Sequence, residues 1–291
     1  MTTIAQRGTV VPDRRVADQA LFTYQKRVDD YFRSAAQYWK QIYEKDSVHA
    51  AVHQHRLERV VGLVDQLALS KTARVLDIGC GAGLISVAIA ERGYRVDAMD
   101  TVPAMIEFTR ELAALRSVAS RVEASIGDIQ RIEAAGNTYD LVVAIGVLPW
   151  LHDIDLPLYE VRRVLRPGGA FVVNIDSKWG LNRIIDPRLN PLLYPLKRSL
   201  RYVLRRAGWC DDEAIAVTMS HRRFDRRLRC LGFSKEESTT LGFGPFTFFG
   251  CELTSSLGGE LNRRMQAWAD RGGSLVRSLG AQYLVAVRKG N

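Results

Sequence analysis

Gly79, Gly81 and Gly83 alternate with single residues in the stretch Asp77-Ile78-Gly79-Cys80-Gly81-Ala82-Gly83, and Asp100 lies 17 residues beyond the last of them. Glycines so spaced permit a tight turn and remove the Cβ atoms that would keep a ligand off the backbone. A dinucleotide fingerprint is G-x-G-x-x-G, with a pyrophosphate over the helix N-terminus. The spacing here is shorter and Asp77 precedes it. An acid beside the loop suits a cationic ligand better than a pyrophosphate. Asp100 suits hydrogen bonds to the paired hydroxyls of a ribose. A structural turn without a ligand is the alternative for the glycines taken alone. The second candidate centre is Val147-Leu148-Pro149-Trp150-Leu151-His152-Asp153. Trp150 supplies an apolar wall. His152 has an unperturbed pKa suited to proton transfer near neutral pH, with packing or helix capping as its alternative role.

These residues need a scaffold. Val75, Leu76 and Ile78 form a short apolar run, and Leu84, Val87, Ala88 and Ala90 follow at helical spacing. That is strand, glycine turn, helix. Tyr94–Asp100 reads as a second strand. Pro103–Val118 reads as a helix, with Pro103 in its first turn, where a missing N–H costs little. Arg121–Ile126 is the third strand and runs into Gly127-Asp128-Ile129. Residues 139–146 form a fourth, apolar enough to be buried on both faces. A helix over Asp155–Leu165 leads through Leu165-Arg166-Pro167-Gly168-Gly169 into a fifth strand, Ala170–Ile175. In a doubly wound sheet the ligand crevice lies at the carboxyl ends of the strands, where the order reverses. That places Gly146, Trp150 and His152 beside the ligand.

The whole pattern resembles the class I S-adenosylmethionine-dependent methyltransferases. Residues 77–83 are similar to that family's cofactor loop, and Leu165–Gly169 to the entry of its fifth strand. The resemblance is close over about residues 71–176 and elsewhere extends only to the order of elements. It implies an α/β fold: a doubly wound seven-stranded sheet, with Thr239–Phe243 as sixth strand and Ala281–Arg288 antiparallel between the fifth and sixth. Residues 1–70 are then an arm and a helical lid. Residues 71–291 are the methyltransferase domain, with a helical insertion at 177–235 as substrate cap and another at 244–280.

The cofactor implied is S-adenosyl-L-methionine. Asp77, Gly79, Cys80, Gly81, Gly83, Asp100, Thr101, Met105, Ile145 and Gly146 are expected around it. Asp128 is expected on the adenine amino group and Ile129 on the ring; the alternative for Asp128 is a turn cap. The sulfonium already activates the methyl group. The protein must align an acceptor lone pair, exclude water and take up a proton where needed, with His152 as candidate base. The loop after the fourth strand lacks the Asn/Asp-Pro-Pro-Tyr/Phe motif of amino-directed relatives. It also lacks a catalytic cysteine and the paired acids of metal-assisted catechol enzymes. The expectation is a small, apolar or lipid-like acceptor, methylated on oxygen rather than nitrogen or carbon. An RNA methyltransferase and a non-catalytic cofactor-binding module are the alternatives.

The flanks carry the acceptor candidates. A helix over Asp18–Lys45 concentrates aromatics on one face; Tyr31, Tyr38, Trp39 and Tyr43 are candidates for a lid, with plain packing as the alternative. A helix over Ser47–Leu67 carries His49 and His53 at i, i+4, a spacing that can hold a metal. No third ligand falls on that face, so no metal is expected. Trp179–Leu189 reads as helical. Phe246, Phe248 and Phe249 either fill core or line a pocket, and Phe246 is the substrate candidate.

The chain of 291 residues is 47% hydrophobic and 25% charged, ordinary for a globular protein. It shows no membrane-spanning run and no signal-peptide pattern. Four scattered cysteines favour a reducing cytoplasm. The net charge is +9, and residues 195–230 hold ten Lys and Arg against four acids. A basic helix over Leu192–Arg206 is followed by another over His221–Leu231. A basic patch suits an anionic membrane surface, a phosphorylated substrate or nucleic acid, the last disfavoured because aromatics are not interleaved with the arginines. A solvated surface helix is the alternative. If Lys197, Arg198, Arg201 and Arg205 meet anionic lipid, the protein will co-sediment with anionic vesicles at low salt and release as salt rises. Absence of vesicle binding at every salt concentration would remove the membrane reading.

Overall fold

The computed structural model describes residues 14–41, 48–194, 216–249, 251–252 and 255–290. Residues 1–13 of the arm expected over 1–18, Tyr43, and all of the basic helix beyond Tyr194 lie outside the described residues, while 14–18 are helical.

A single large sheet organises the chain. Its strands are β1 (Arg74–Ile78), β2 (Arg95–Asp100), β3 (Val122–Ile126), β4 (Tyr139–Ala144), β5 (Leu165–Ser177), β6 (Thr218–Met219), β7 (Phe233–Leu241) and β10 (Gln282–Lys289). The order is β3-β2-β1-β4-β5-β10-β7, with β6 pairing in parallel with the end of β5. β10 is antiparallel to both neighbours. The seven-stranded order expected from sequence is present, and the short β6 adds to it. The strand expected over Thr239–Phe243 begins earlier, at Phe233. Edge position explains the miss: Ser234, Lys235 and Glu236 are exposed, and their polarity hides the strand period.

Helices cover both faces. α3 (Val48–Gln66), α4 (Leu84–Glu91) and α5 (Pro103–Leu115) lie on one side; α6 (Asp155–Val164) and α8 (His221–Cys230) lie on the other. Alternate strand residues feed two cores. Val75, Leu141, Val143, Val172 and Leu284 pack with Val60, Val64, Val87 and Ile89. Leu76, Val142, Ala144, Phe171 and Val285 pack with Leu158, Val161, Phe224 and Leu228. Strands buried on both faces carry near-continuous apolar runs for this reason. The chain enters through α1 (Arg14–Ser34) and α2 (Ala36–Gln41). Only Leu181–Ile185 of the helix expected over Trp179–Leu189 is α-helical, as α7. Between β7 and β10 lie a two-residue hairpin, β8 (Thr247–Phe248) with β9 (Cys251–Glu252), then α9 (Ser255–Asp270) and α10 (Ser274–Ser278). Among the described residues no helix is long and apolar enough to cross a membrane.

Two glycines give a stability contrast. At Gly83 φ is +82°, and an added Cβ would stand 2.8 Å from the Thr109 Cα of α5. Gly62 sits inside α3 with nothing within 4 Å of the same position. Gly83→Ala should lower unfolding stability by about 1–3 kcal/mol through overpacking and strain. Gly62→Ala should raise it by about 0.5–1 kcal/mol through helix propensity. Urea denaturation of both variants checks the opposite signs.

Candidate functional site

Four strand ends converge on one cavity of about 300 Å³. Ile78 and Gly79 reach it from β1, Asp100 from β2, Ile145 and Gly146 from β4, and Asp176 from β5. The position follows from topology. Strand order reverses between β1 and β4, and outgoing loops part at that point.

The glycine turn forms the floor. Gly79, Gly81 and Gly83 all have positive φ. A Cβ at Gly79 would run into Val147 of the loop after β4, so this glycine lets two loops meet. Gly81 faces open space, with no protein atom within 4 Å of an added Cβ. Gly83 instead sets the contact between α4 and α5. Asp100 braces the turn. Its Oδ2 accepts from the Gly81 N–H at 3.0 Å, and its Oδ1 from the Val102 N–H at 2.9 Å. Burial raises its pKa, and the two backbone bonds oppose that rise.

The expected cofactor residues divide. Gly79, Cys80, Gly81, Asp100, Thr101 and Met105 line the cavity, as do Asp128, Ile129, Ile145 and Gly146. Asp77 and Gly83 do not. Asp77 is buried beneath the turn, where its Oδ2 accepts from Ser86 Oγ of α4 at 2.5 Å. It fastens β1 to α4 and does not present its charge to a ligand. Burial, with a smaller push from Asp100, raises its pKa to about 7. Asp128 closes a turn through the Gln130 N–H at 2.8 Å while still facing the cavity. The Cys80 thiol is buried against Thr109, and burial pushes its pKa well up.

The roof is aromatic. Trp150 stacks on Tyr31 at 5.4 Å between centroids, and meets the Phe32 ring edge-on at 5.1 Å. Phe32, Trp39 and Trp150 line the cavity; Tyr31 and Tyr38 back them from the exposed side. Thr101 Oγ1 donates to Asp29 at 2.9 Å, and Lys40 pairs with Glu111 at 2.8 Å, which ties α1 and α2 to β2 and α5. Phe246 lies elsewhere. It is buried with Phe243, Ala269 and Val276 under α9 and α10, so it fills core. His152 is exposed and outside the cavity lining, with its ring edge-on to Tyr24 at 5.7 Å.

In the far wall, Arg56, Asp176 and Gln282 were not expected from sequence. His49, His53 and Arg56 recur at i, i+4, i+7 on α3, which puts them on one helix face, and all three line the cavity. Arg56 Nη2 donates to His53 Nδ1 at 2.6 Å. Arginine has no acceptor, so a neutral His53 carries its proton on Nε2. That N–H donates to His49 Nε2 at 3.0 Å. His49 then carries its proton on Nδ1, 2.8 Å from Tyr38 Oη. The chain has one direction, from Arg56 to Tyr38. Burial and the Arg56 charge push His53 down to about 2 and lower His49 as well. The i, i+4 pair is thus a hydrogen-bonded couple. Asp176 and Gln282 complete this wall, with Gln282 Nε2 to Asp176 Oδ1 at 3.4 Å. Asn174 Oδ1 accepts from the Gly146 N–H at 2.6 Å and fixes the end of β4.

Residues 75–169 match the family model described as a methyltransferase domain. A sterol 4-C-methyltransferase of Caenorhabditis elegans is 32% identical over 111 residues, covering 38% of this chain and 33% of that protein. A malonyl-[acyl-carrier protein] O-methyltransferase of Salmonella typhimurium is 31% identical over 167 residues, covering 55% of this chain and 62% of its own length. The chain therefore spans between a third and under two thirds of these relatives. The crystal structure of magnesium protoporphyrin IX methyltransferase from Synechocystis, with bound SAH, superposes with a TM-score of 0.61 at 15% identity, over 92% of this chain and all of that one. It has the same fold.

Asp77 generates a pH prediction. An acid whose pKa is raised in the folded state holds a proton that the unfolded chain has released, so folding stability falls as pH rises from about 4 to about 7. Asp77→Asn keeps an acceptor for Ser86 and removes the titration. Its stability relative to wild type should therefore climb over that window, measured by thermal melts at pH 4.5 and 7.5. A pH-independent difference would mean that Asp77 titrates normally.

Proposed function

We propose that this chain, whose residues 75–169 belong to the class I S-adenosylmethionine-dependent methyltransferases, transfers a methyl group to oxygen on a small, apolar or lipid-like acceptor. The observation that carries this reading is a single cavity with a glycine floor and an aromatic roof. The floor fits S-adenosyl-L-methionine, since a Cβ at Gly81 would occupy cavity space that the protein leaves open. Asp100 would take the ribose hydroxyls through lone pairs not used by its backbone donors. Ile129 and Met105 would pack on the base, and Asp128 would meet its amino group. When bound, the cofactor supplies a methyl group on a positively charged sulfur. The protein's own task is to hold the acceptor in line and keep water out, and Phe32, Trp39 and Trp150 serve both ends.

The acceptor is chosen outside the matched domain. The relatives named for a sterol carbon and for a malonyl group resemble this chain over limited spans. In this chain His49, His53, Arg56 and Asp176 all fall outside residues 75–169. The aromatic roof comes mainly from α1 and α2, also outside it. An apolar acceptor follows from that roof, which offers ring faces to a hydrocarbon body. His152 as general base does not follow, because its side chain is outside the lining.

Calorimetry tests the cofactor half directly. S-adenosylhomocysteine should bind and NAD should not. Gly81→Val should abolish binding, and Asp100→Ala should weaken it by about 1–3 kcal/mol through lost hydrogen bonds. Wild-type affinity in both variants, with the fold intact by circular dichroism, would sink the assignment.

A further inference from the structure

Arg56 is 9% exposed, yet among the described residues the acceptor its guanidinium reaches is a neutral one, His53 Nδ1. No described carboxylate lies within ion-pair distance of it. A buried guanidinium is costly unless a charge and several hydrogen bonds compensate it. Its remaining N–H groups are not sealed against the protein, and the residue lines the cavity. An added Cβ on Gly146 would stand 3.6 Å from Arg56 Nη1, which puts the guanidinium beside the end of β4. Trp39 of the roof, edge-on to His53 at 5.5 Å, has an indole N–H with no acceptor among the described residues. Asp176 is the acid of this wall, and the half-buried Arg183 acts on it more strongly than Arg56 does. Neither guanidinium is within ion-pair distance of Asp176; both act on it only from beyond contact.

The bases are also accounted for. In the chain from Arg56 to Tyr38, both ring nitrogens of His53 and both of His49 are already bonded. Neither imidazole offers a lone pair to an acceptor's proton. The wall is rich in donors and positive charge, and its histidines are closed to proton transfer.

We infer that Arg56 makes the acceptor end of the cavity a receptor for a carboxylate, so that the methylated oxygen is a carboxylate oxygen and the product a methyl ester. This rests on the methyltransferase reading above. The chemistry balances without a base. A carboxylate lone pair forms the new C–O bond as the methyl–sulfur bond breaks and its electron pair returns to sulfur. One anion and one sulfonium become a neutral ester and a thioether, and no proton is released. Arg56 holds one carboxylate oxygen and orients the other, and a charge-assisted bond is the strong form of that contact.

The experiment uses the full chain saturated with S-adenosylhomocysteine, titrated with octanoate beside octanol and with 2-naphthoate beside 2-naphthalenemethanol. In at least one pair the carboxylate should bind about ten- to a hundred-fold more tightly than its alcohol. Arg56→Gln should erase that preference, read as the acid-to-alcohol affinity ratio within each pair, and Arg56→Lys should retain part of it. With S-adenosylmethionine, mass spectrometry should find the methyl ester of the preferred acid. The inference is overturned if neither acid binds measurably, if the alcohols bind as tightly as the acids, or if Arg56→Gln keeps the preference. Should Arg56→Gln fail to fold, the wild-type comparison and the Lys variant still decide. Failure of S-adenosylhomocysteine itself to bind would strike the underlying reading instead, and is scored before any acid is added.

Discussion

One carboxylate holds the site together. Asp100, at the end of β2, accepts from the N–H groups of Gly81 and Val102. Through the first it fixes the glycine turn; through the second it fixes the start of α5. Those two elements are the floor and one side of the cavity. The backbone of a glycine-rich turn has little to hold it in a single conformation. A buried acceptor shared between two N–H donors supplies the restraint, and the donors in turn stabilise an ionised group that burial disfavours. Asp77 works one layer below, tying β1 to Ser86 of α4. The two acids sit close enough for each to raise the cost of the other's charge.

The opposite wall is built on a different principle. A helix face carries two histidines and an arginine in hydrogen-bonded sequence, and the arginine dictates the tautomer of both rings. Such a chain is stiff, since reversing any link would leave two donors facing each other. It joins α3 to Tyr38 of α2, so the aromatic roof and the cavity wall share one set of hydrogen bonds.

The sheet and the glycine turn were legible in the sequence because both rest on local pattern. Val75 to Ile78 must be apolar to sit in the middle of the sheet, and a turn that tight admits little but glycine. Asp100 was legible for a similar reason, being the last residue of an apolar strand. Arg56 and Asp176 were not. Nothing within α3 says which of its faces meets the sheet's carboxyl edge; that depends on packing against β7 and α4. The signal available was the polar stripe at 49, 53 and 56, interrupting a helix whose Val48, Val52, Val60 and Val64 are buried. His152 misled because its distance along the chain from β4 is short. The short helical turn at Leu148–Trp150 carries it to the outer side, against Tyr24. Phe246 misled in the opposite sense: it joins Phe243 in a small core of its own, while Phe248 and Phe249 are exposed.

The antiparallel β10 has a consequence for how the chain is made. It bonds to β5 on one side and β7 on the other. During vectorial synthesis β7 leaves the ribosome with no partner, because the strand between it and β5 has yet to be translated. The half of the sheet from β3 to β5 can assemble early, from neighbours close in sequence; the rest must wait. Gln282, the first residue of β10, is also part of the cavity wall. The nascent protein therefore carries a finished glycine turn well before it carries a finished pocket. Closing the sheet and completing that cavity wall are one event.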